Sequence, residues 1–131
     1  MPSIRHVLLV DDLPELRTLL AVVVPRCYPD ATIAEASNGA EALSAVAQQC
    51  PDLIITDVQM PIMDGLELVR TLRAQGMEML ILATSSEPDN AKAILAAGAN
   101  HFLRKPFPLL ELRELLRRLV CSDDAARAVG E

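Results

Sequence analysis

A chain of 131 residues with 51% hydrophobic but only 2% aromatic side chains makes one domain with an aliphatic core of Leu, Ile, Val and Ala. Its net charge of -6 argues against direct contact with nucleic acid, which needs a basic footprint. No apolar stretch approaches the length of a membrane span, and no long apolar leader segment opens the sequence, so a cytoplasmic protein is expected.

The chain alternates short apolar runs with amphipathic ones. Ile4–Val10 reads as a strand. Leu13–Val24 reads as a helix, with Leu16, Leu19, Leu20 and Val23 on one face, Pro14 at its start, and Pro25 and Pro29 bracketing its exit. Thr32–Ala36 is a short strand. Ala40–Gln49 is a helix, and Asn38 with Glu41 has the spacing of a capping box. Leu53–Thr56 is a strand running into Asp57. Asp64–Gln75 is a helix stopped by Gly76. Met79–Thr84 is a strand, Pro88–Ala97 a helix stopped by Gly98, and His101–Arg104 a strand leading to Lys105-Pro106. Pro108–Val120 is the last helix, and 122–131 is expected to fray. Cys27, Cys50 and Cys121 form no CxxC pair, so free thiols in a reducing compartment are expected.

Strands of this kind, each followed by a helix, imply a parallel sheet covered on both faces. Open sheets bind ligands outside the carboxyl ends of their strands. Asp11, Asp12, Asp57, Thr84 and Lys105 all fall at such ends, whereas His6 and His101 fall at the opposite edge. If the first and third strands are neighbours, three carboxylates meet. That arrangement needs a cation and makes a place for phosphoryl chemistry.

Val10-Asp11-Asp12, the Asp57–Gly65 segment, Thr84-Ser85 and Lys105-Pro106-Phe107 resemble the receiver domain of bacterial two-component response regulators, the CheY-like family. The run Glu35–Leu43 and Gly98-Ala99 also fit its pattern, so the resemblance covers residues 4 to 120. It implies a three-layer (βα)5 flavodoxin-like fold, α/β, with a parallel five-stranded sheet ordered 2-1-3-4-5. The receiver domain would occupy 1–121, followed by the tail.

The same resemblance implies roles. Asp57 is the phospho-acceptor, since a carboxylate can attack phosphorus to give an acyl phosphate. Asp12 binds Mg²⁺ directly and Asp11 supports it, mainly through water; Asp57 and the backbone carbonyl of Gln59 complete the protein ligands. Lys105 supplies the counter-charge, and its bond to Pro106 is cis in the family. Thr84 is the hydroxyl that senses the phosphoryl group, with Ser85 leaving it room. Phe102 is the switching aromatic and, lacking a hydroxyl, works by packing. Gln59 and Ser86 stand where side chains tune the lifetime of the phosphorylated state. The donor is a histidine kinase or histidine phosphotransfer protein. The output is a protein contact on the face of the fourth helix, fifth strand and fifth helix, which carries Lys92, Arg104, Arg113 and Arg117. Leu110 and Leu115 at its edge allow a weak dimer, so monomer or weak dimer is expected.

Plainer readings exist for each residue. Asp57 is a strand-end Asp starting a turn, Asp12 an N-cap for the Pro14 helix, and Lys105 a solvated surface lysine. Thr84 or Ser86 caps the Pro88 helix, and Phe102 is a core aromatic. At the level of function, a Mg²⁺-dependent phosphohydrolase is one alternative, but Asp57-Val58-Gln59 has Gln where a second acid would stand. A phosphorylation-independent interaction module is another, and the intact set of functional positions argues against it. A fragment of a larger regulator or hybrid kinase is the last. Met1 and the petering-out tail favour a complete stand-alone receiver, acting only on itself rather than as a turnover enzyme.

Overall fold

The sheet is built from strands that hide both faces. In β1 (His6–Val10), Val7 and Leu9 point to one side while Leu8 and Val10 point to the other, and all are essentially buried. β3 (Leu53–Asp57) repeats the pattern, with Leu53 and Ile55 on the first side and Ile54 on the second. Period-two alternation with both sides apolar reads in sequence as an unbroken hydrophobic run, the signature of a central parallel strand. This computed structural model describes residues 4–130, with side chains described through residue 119.

The other elements are α1 (Pro14–Cys27), β2 (Thr32–Ala36), α2 (Gly39–Gln48), α3 (Gly65–Ala74), β4 (Leu80–Ser85), α4 (Asn90–Ala97), β5 (His101–Arg104) and α5 (Leu109–Gly130). The strands pair in parallel in the order β2-β1-β3-β4-β5, which places the ends of β1 and β3 side by side. Helices α1 and α5 cover the face carrying Val7, Leu9, Ile55 and Leu82; α2, α3 and α4 cover the face carrying Leu8, Ile54, Ile81 and Ala83. This is the three-layer flavodoxin-like α/β arrangement. Tyr28 is the one aromatic among the described buried side chains. Its hydroxyl donates to the Leu116 carbonyl, tying the exit of α1 to α5, and burial pushes its pKa up.

Several boundaries differ from the sequence reading. β1 starts at His6 rather than Ile4, because Asp52 Oδ2 accepts the N–H groups of Arg5 and His6 and takes the place of ladder partners. α1 continues through Pro25 to Cys27. Proline removes one donor, but the buried Val23 and Val24 and the Tyr28 N–H bond to Val24 O hold the last turn. α4 begins at Asn90, not Pro88. α5 runs from Leu109 to Gly130, beyond the Val120 end read from the sequence. The side chains of Val120 and Cys121 lie outside the described residues. Asn38 does cap α2, accepting the Glu41 N–H at 2.9 Å, but the Glu41 carboxylate reaches back to the N–H and hydroxyl of Ser37 rather than to Asn38. Among the described residues no helix is long and apolar enough to cross a membrane.

Candidate functional site

The carboxyl edge of the sheet collects the acidic residues. One carboxylate oxygen each from Asp11, Asp12 and Asp57 lies within 4.8 Å of the others. Asp11 and Asp57 are buried and Asp12 is half-exposed. Consecutive residues share the site because β1 ends at Val10 and the chain turns there. Asp11 stabilises that turn: its Oδ1 accepts the Leu13 N–H at 2.9 Å, and its own N–H bonds Ala36 O. The N-cap of α1 is therefore Leu13, and Asp12 makes no capping bond. That removes the helix-capping reading of Asp12 and leaves its carboxylate at the cluster.

Lys105 enters from the end of β5. Its Nζ stands 3.0 Å from Asp11 Oδ2 and 3.4 Å from Asp57 Oδ2, with most of the side chain covered. It is not a solvated surface lysine. The Lys105–Pro106 bond is cis, and the Lys105 N–H donates to Ser85 O. Burial is the largest influence on the Asp57 carboxyl and raises its pKa; Asp11 adds to this, while Lys105 and the Gln59 N–H oppose it.

Thr84 lies opposite Asp57 in the β3–β4 register and is buried; its carbonyl accepts the Val58 N–H. It does not cap α4. The N-cap residue of α4, Asp89, makes no side-chain cap bond; the fully buried Ser85 instead holds the turn before the helix, its Oγ accepting from the Glu87 N–H at 2.9 Å and from Asn90 Nδ2 at 3.0 Å. Ser85 was expected only to leave room, and Ser86, exposed on the surface, was the alternative cap. Phe102 is half-buried, paired with Ala83 and packed against the cluster beneath α4. Gln59 is exposed and its N–H points to Asp57. Leu110 is exposed as expected at the edge of α5, but Leu115 is buried in the core and is not available to a partner.

Sequence reasoning missed three contributors. Gly65 packs against the backbone of the Asp57 strand end, where a Cβ would fall 2.2 Å from Asp57 O. Its N–H bonds Val58 O, so α3 starts directly against the end of β3; the adjacent Asp64 caps α3 through the Glu67 N–H. Arg17 reaches back from α1 to donate to Asp11 O at 2.6 Å and to Glu35 Oε1 at 3.2 Å, holding the acidic turn from behind. A groove of about 580 Å³, lined by Leu13, Leu16, Leu19, Phe107 and Leu109, opens beside Lys105 and Ser86. Leu16 and Leu19, on the apolar face of α1 read from the sequence, were the readable signal for it.

The donor set fits Mg²⁺: hard carboxylate oxygens, few in number, at an edge open enough for water and phosphate oxygens. Buried carboxylates this close repel one another, and a single ammonium shared between two of them leaves Asp12 uncompensated.

The model of the response regulator receiver domain matches residues 7–117 of this chain. The chain is 44% identical over 101 residues to the response regulator MprA of Mycobacterium leprae, an alignment covering 72% of this chain and 44% of that protein. It is 35% identical over 118 residues to the probable transcriptional regulatory protein TcrX of Mycobacterium tuberculosis, covering 86% of this chain and 50% of that one. The chain thus spans about half the length of the curated relatives it matches. Among solved structures, the chemotaxis response regulator CheY4 of Vibrio cholerae superposes with a TM-score of 0.80 at 31% identity, covering 89% of this chain and 99% of that one.

Proposed function

Because the chain belongs to the response regulator receiver family, we propose that it accepts a phosphoryl group on Asp57 within a two-component relay and thereby switches a protein-contact surface. The observation that carries this reading is the Lys105 ammonium shared by Asp11 and Asp57 at the edge where Asp12 also converges.

Phosphoryl transfer needs in-line positioning and charge neutralisation more than covalent help. Asp57 supplies the attacking oxygen: its O–P bond forms as the bond from phosphorus to the donor histidine nitrogen breaks. Lys105 and the Gln59 N–H favour the ionised form of Asp57, opposing the larger effect of burial. Once the phosphoryl group is in place, Lys105 pairs with one of its oxygens and the Thr84 hydroxyl donates to another. Asp11, Asp12, Asp57 and the Gln59 carbonyl are the residues that would hold Mg²⁺, which supplies further neutralisation of phosphate charge when bound. Hydrolysis of the acyl phosphate resets the chain, so it acts once on itself rather than turning over substrate.

The donor is a phosphohistidine on a kinase or phosphotransfer protein. The apolar groove beside Lys105, with exposed Leu13 and Leu19, gives that protein a surface next to Asp57. Movement of Thr84 toward the phosphoryl group vacates space for Phe102, which packs under α4. The exposed Lys92, Arg104, Arg113 and Arg117 then lie on the face that changes. Stand-alone action in the cytoplasm, through protein targets rather than DNA, is part of the proposal. So is a receiver unit covering 1–121.

The test is turnover against self-labelling. Acetyl phosphate with Mg²⁺ should add one phosphoryl group per chain by intact mass, with none on Asp57→Ala and no sustained release of phosphate from generic phosphate esters. Catalytic ester turnover would instead mark a phosphohydrolase.

A further inference from the structure

Two of the three clustered carboxylates are held directly. Asp11 Oδ1 takes the Leu13 N–H and its Oδ2 takes Lys105, while Asp57 shares Lys105 and accepts the Gln59 N–H. The Asp12 carboxylate has no hydrogen bond or ion pair among the described residues. Its position therefore depends on the backbone that delivers it. The peptide joining Asp11 to Asp12 is a rigid plane, so fixing its carbonyl fixes the direction in which Asp12 leaves it.

One side chain grips that carbonyl. Arg17 Nη1 donates to Asp11 O at 2.6 Å, a short charge-assisted bond. Arg17 lies near the start of α1, and helical side chains lean toward the helix N-terminus, which carries the guanidinium back over the acidic turn. Its Nε donates to Glu35 Oε1 at 3.2 Å, and Glu35 stands on β2 in register with Leu9 of β1. The guanidinium is thus braced between the ends of two paired strands, with its side chain only 19% exposed. Helix stability does not account for a cation here, because it meets the positive end of the helix.

We infer that Arg17 is a positioning residue for the Mg²⁺ site: it holds the Asp11–Asp12 peptide so that the Asp12 carboxylate is aimed at the ion, and Glu35 keeps Arg17 in line. The inference rests on Asp11, Asp12 and Asp57 being residues that hold Mg²⁺. Arg17 acts on such an ion in two opposed ways. Its charge repels a dication, whereas its bond orients a ligand for one. The charge is already paired with Glu35, which is exposed enough for solvent to screen the pair. The bond acts on rigid backbone one residue from the ligand. Orientation therefore outweighs repulsion, and loss of such support weakens metal binding by about 10- to 100-fold.

The test titrates Mg²⁺ into the full chain by isothermal calorimetry, without any phosphodonor, and repeats the titration with Mn²⁺ read by electron paramagnetic resonance. Arg17→Met should weaken binding of both ions by about tenfold. Arg17→Lys keeps the charge but lacks the fork that spans the Asp11 carbonyl and Glu35, and should lose about threefold. Glu35→Ala should lose about twofold, as befits a half-exposed pair. Arg73→Met removes an arginine that joins α3 to the end of α4, away from the acidic turn, and should leave the affinity unchanged. Unchanged or tighter binding in Arg17→Met would overturn the inference, since loss of the charge alone tightens it. Equal weakening in Arg73→Met would also overturn it, because affinity would then follow stability. If Arg17→Met does not fold, Arg17→Lys decides, and wild-type affinity in that variant is the contradicting result. Absence of Mg²⁺ binding by the wild type would instead remove the metal site, and the inference with it.

Discussion

Lys105 sits closer to Asp11 than to Asp57: 3.0 Å against 3.4 Å. One ammonium therefore compensates two buried carboxylates, and its loss strands both. Lys105→Met should destabilise the protein by about 2–4 kcal/mol near neutral pH, since removing one partner leaves buried charge unpaired. It should also slow labelling of Asp57 by about 100-fold, as for loss of one preorganised charge contact. Lys105→Arg keeps the charge but replaces a compact ammonium with a planar fork. It should recover most of the stability and little of the rate. Urea unfolding and labelling kinetics on the two variants check both halves.

Asp57 should make the fold less stable as pH rises. Burial raises its pKa above the ordinary 3.8. The folded chain then holds this proton more tightly than the unfolded chain, so the contribution is full at pH below 3.8 and is lost as pH climbs through the raised value. Asp57→Asn abolishes that loss. Its Tm should exceed that of the wild type by a few degrees at pH 7 without divalent ions, with the gap closing toward pH 4. A gap that is constant with pH would contradict the burial argument.

Mg²⁺ should raise the stability of the wild type by about 1.4 kcal/mol at a concentration ten times its dissociation constant. Asp12→Ala and Asp57→Asn should each lose most of this increment, and a chelator should reverse it. Thermal melts across a Mg²⁺ titration read the effect without any phosphodonor. Equal stabilisation of all three proteins would place the ion elsewhere.

Glycine at 65 should matter more than its bland side chain suggests. Alanine there would push a Cβ against Asp57 O and Val58 Cα, which are backbone atoms that cannot rotate away. Gly65→Ala should cost about 3 kcal/mol and disturb labelling of Asp57 as well. Arg73 provides the contrast at the far edge of the sheet. It bonds Gly98 O, Met77 O and Asn100 Oδ1, joining α3 to the end of α4. Arg73→Met should cost about 2 kcal/mol, taking this donor from the Gly98 and Met77 carbonyls while Asn100 Oδ1 keeps the Ile81 N–H, with labelling of Asp57 unchanged. Chemical denaturation paired with labelling distinguishes the two residues.

The sheet and the acidic edge were legible because their signals are local. Leu8-Leu9-Val10 and Leu53-Ile54-Ile55 are buried on both faces and so read as continuous apolar runs, and each ends in the carboxylates that define the edge. What stayed hidden depends on contacts across the fold. Arg17 lies on a polar-looking stretch of α1, yet it supports the Asp11 turn. Ser85 was read as a gap beside Thr84, but its buried hydroxyl accepts from the Glu87 N–H and from Asn90 Nδ2 in the turn that leads to α4. Pro25 marked a helix end in sequence; packing of Val23, Val24 and Tyr28 carried the helix past it. The positive φ of 71° at Ile62 could not be read at all, because the hydrogen bonds that impose it, Gly39 N–H to Met63 O and Gly65 N–H to Val58 O, come from either side of the loop between β3 and α3.

The acceptor role of Asp57 is tested most directly by trapping the acyl phosphate where it forms. The protein is labelled with acetyl phosphate and Mg²⁺, reduced with borohydride and mapped by peptide mass spectrometry. Reduction converts the phosphorylated aspartate to the corresponding alcohol with release of phosphate. A single reduced aspartate at position 57, absent without Mg²⁺, is the expected result. Reduction at Asp11 or Asp12, or at no residue, would contradict it.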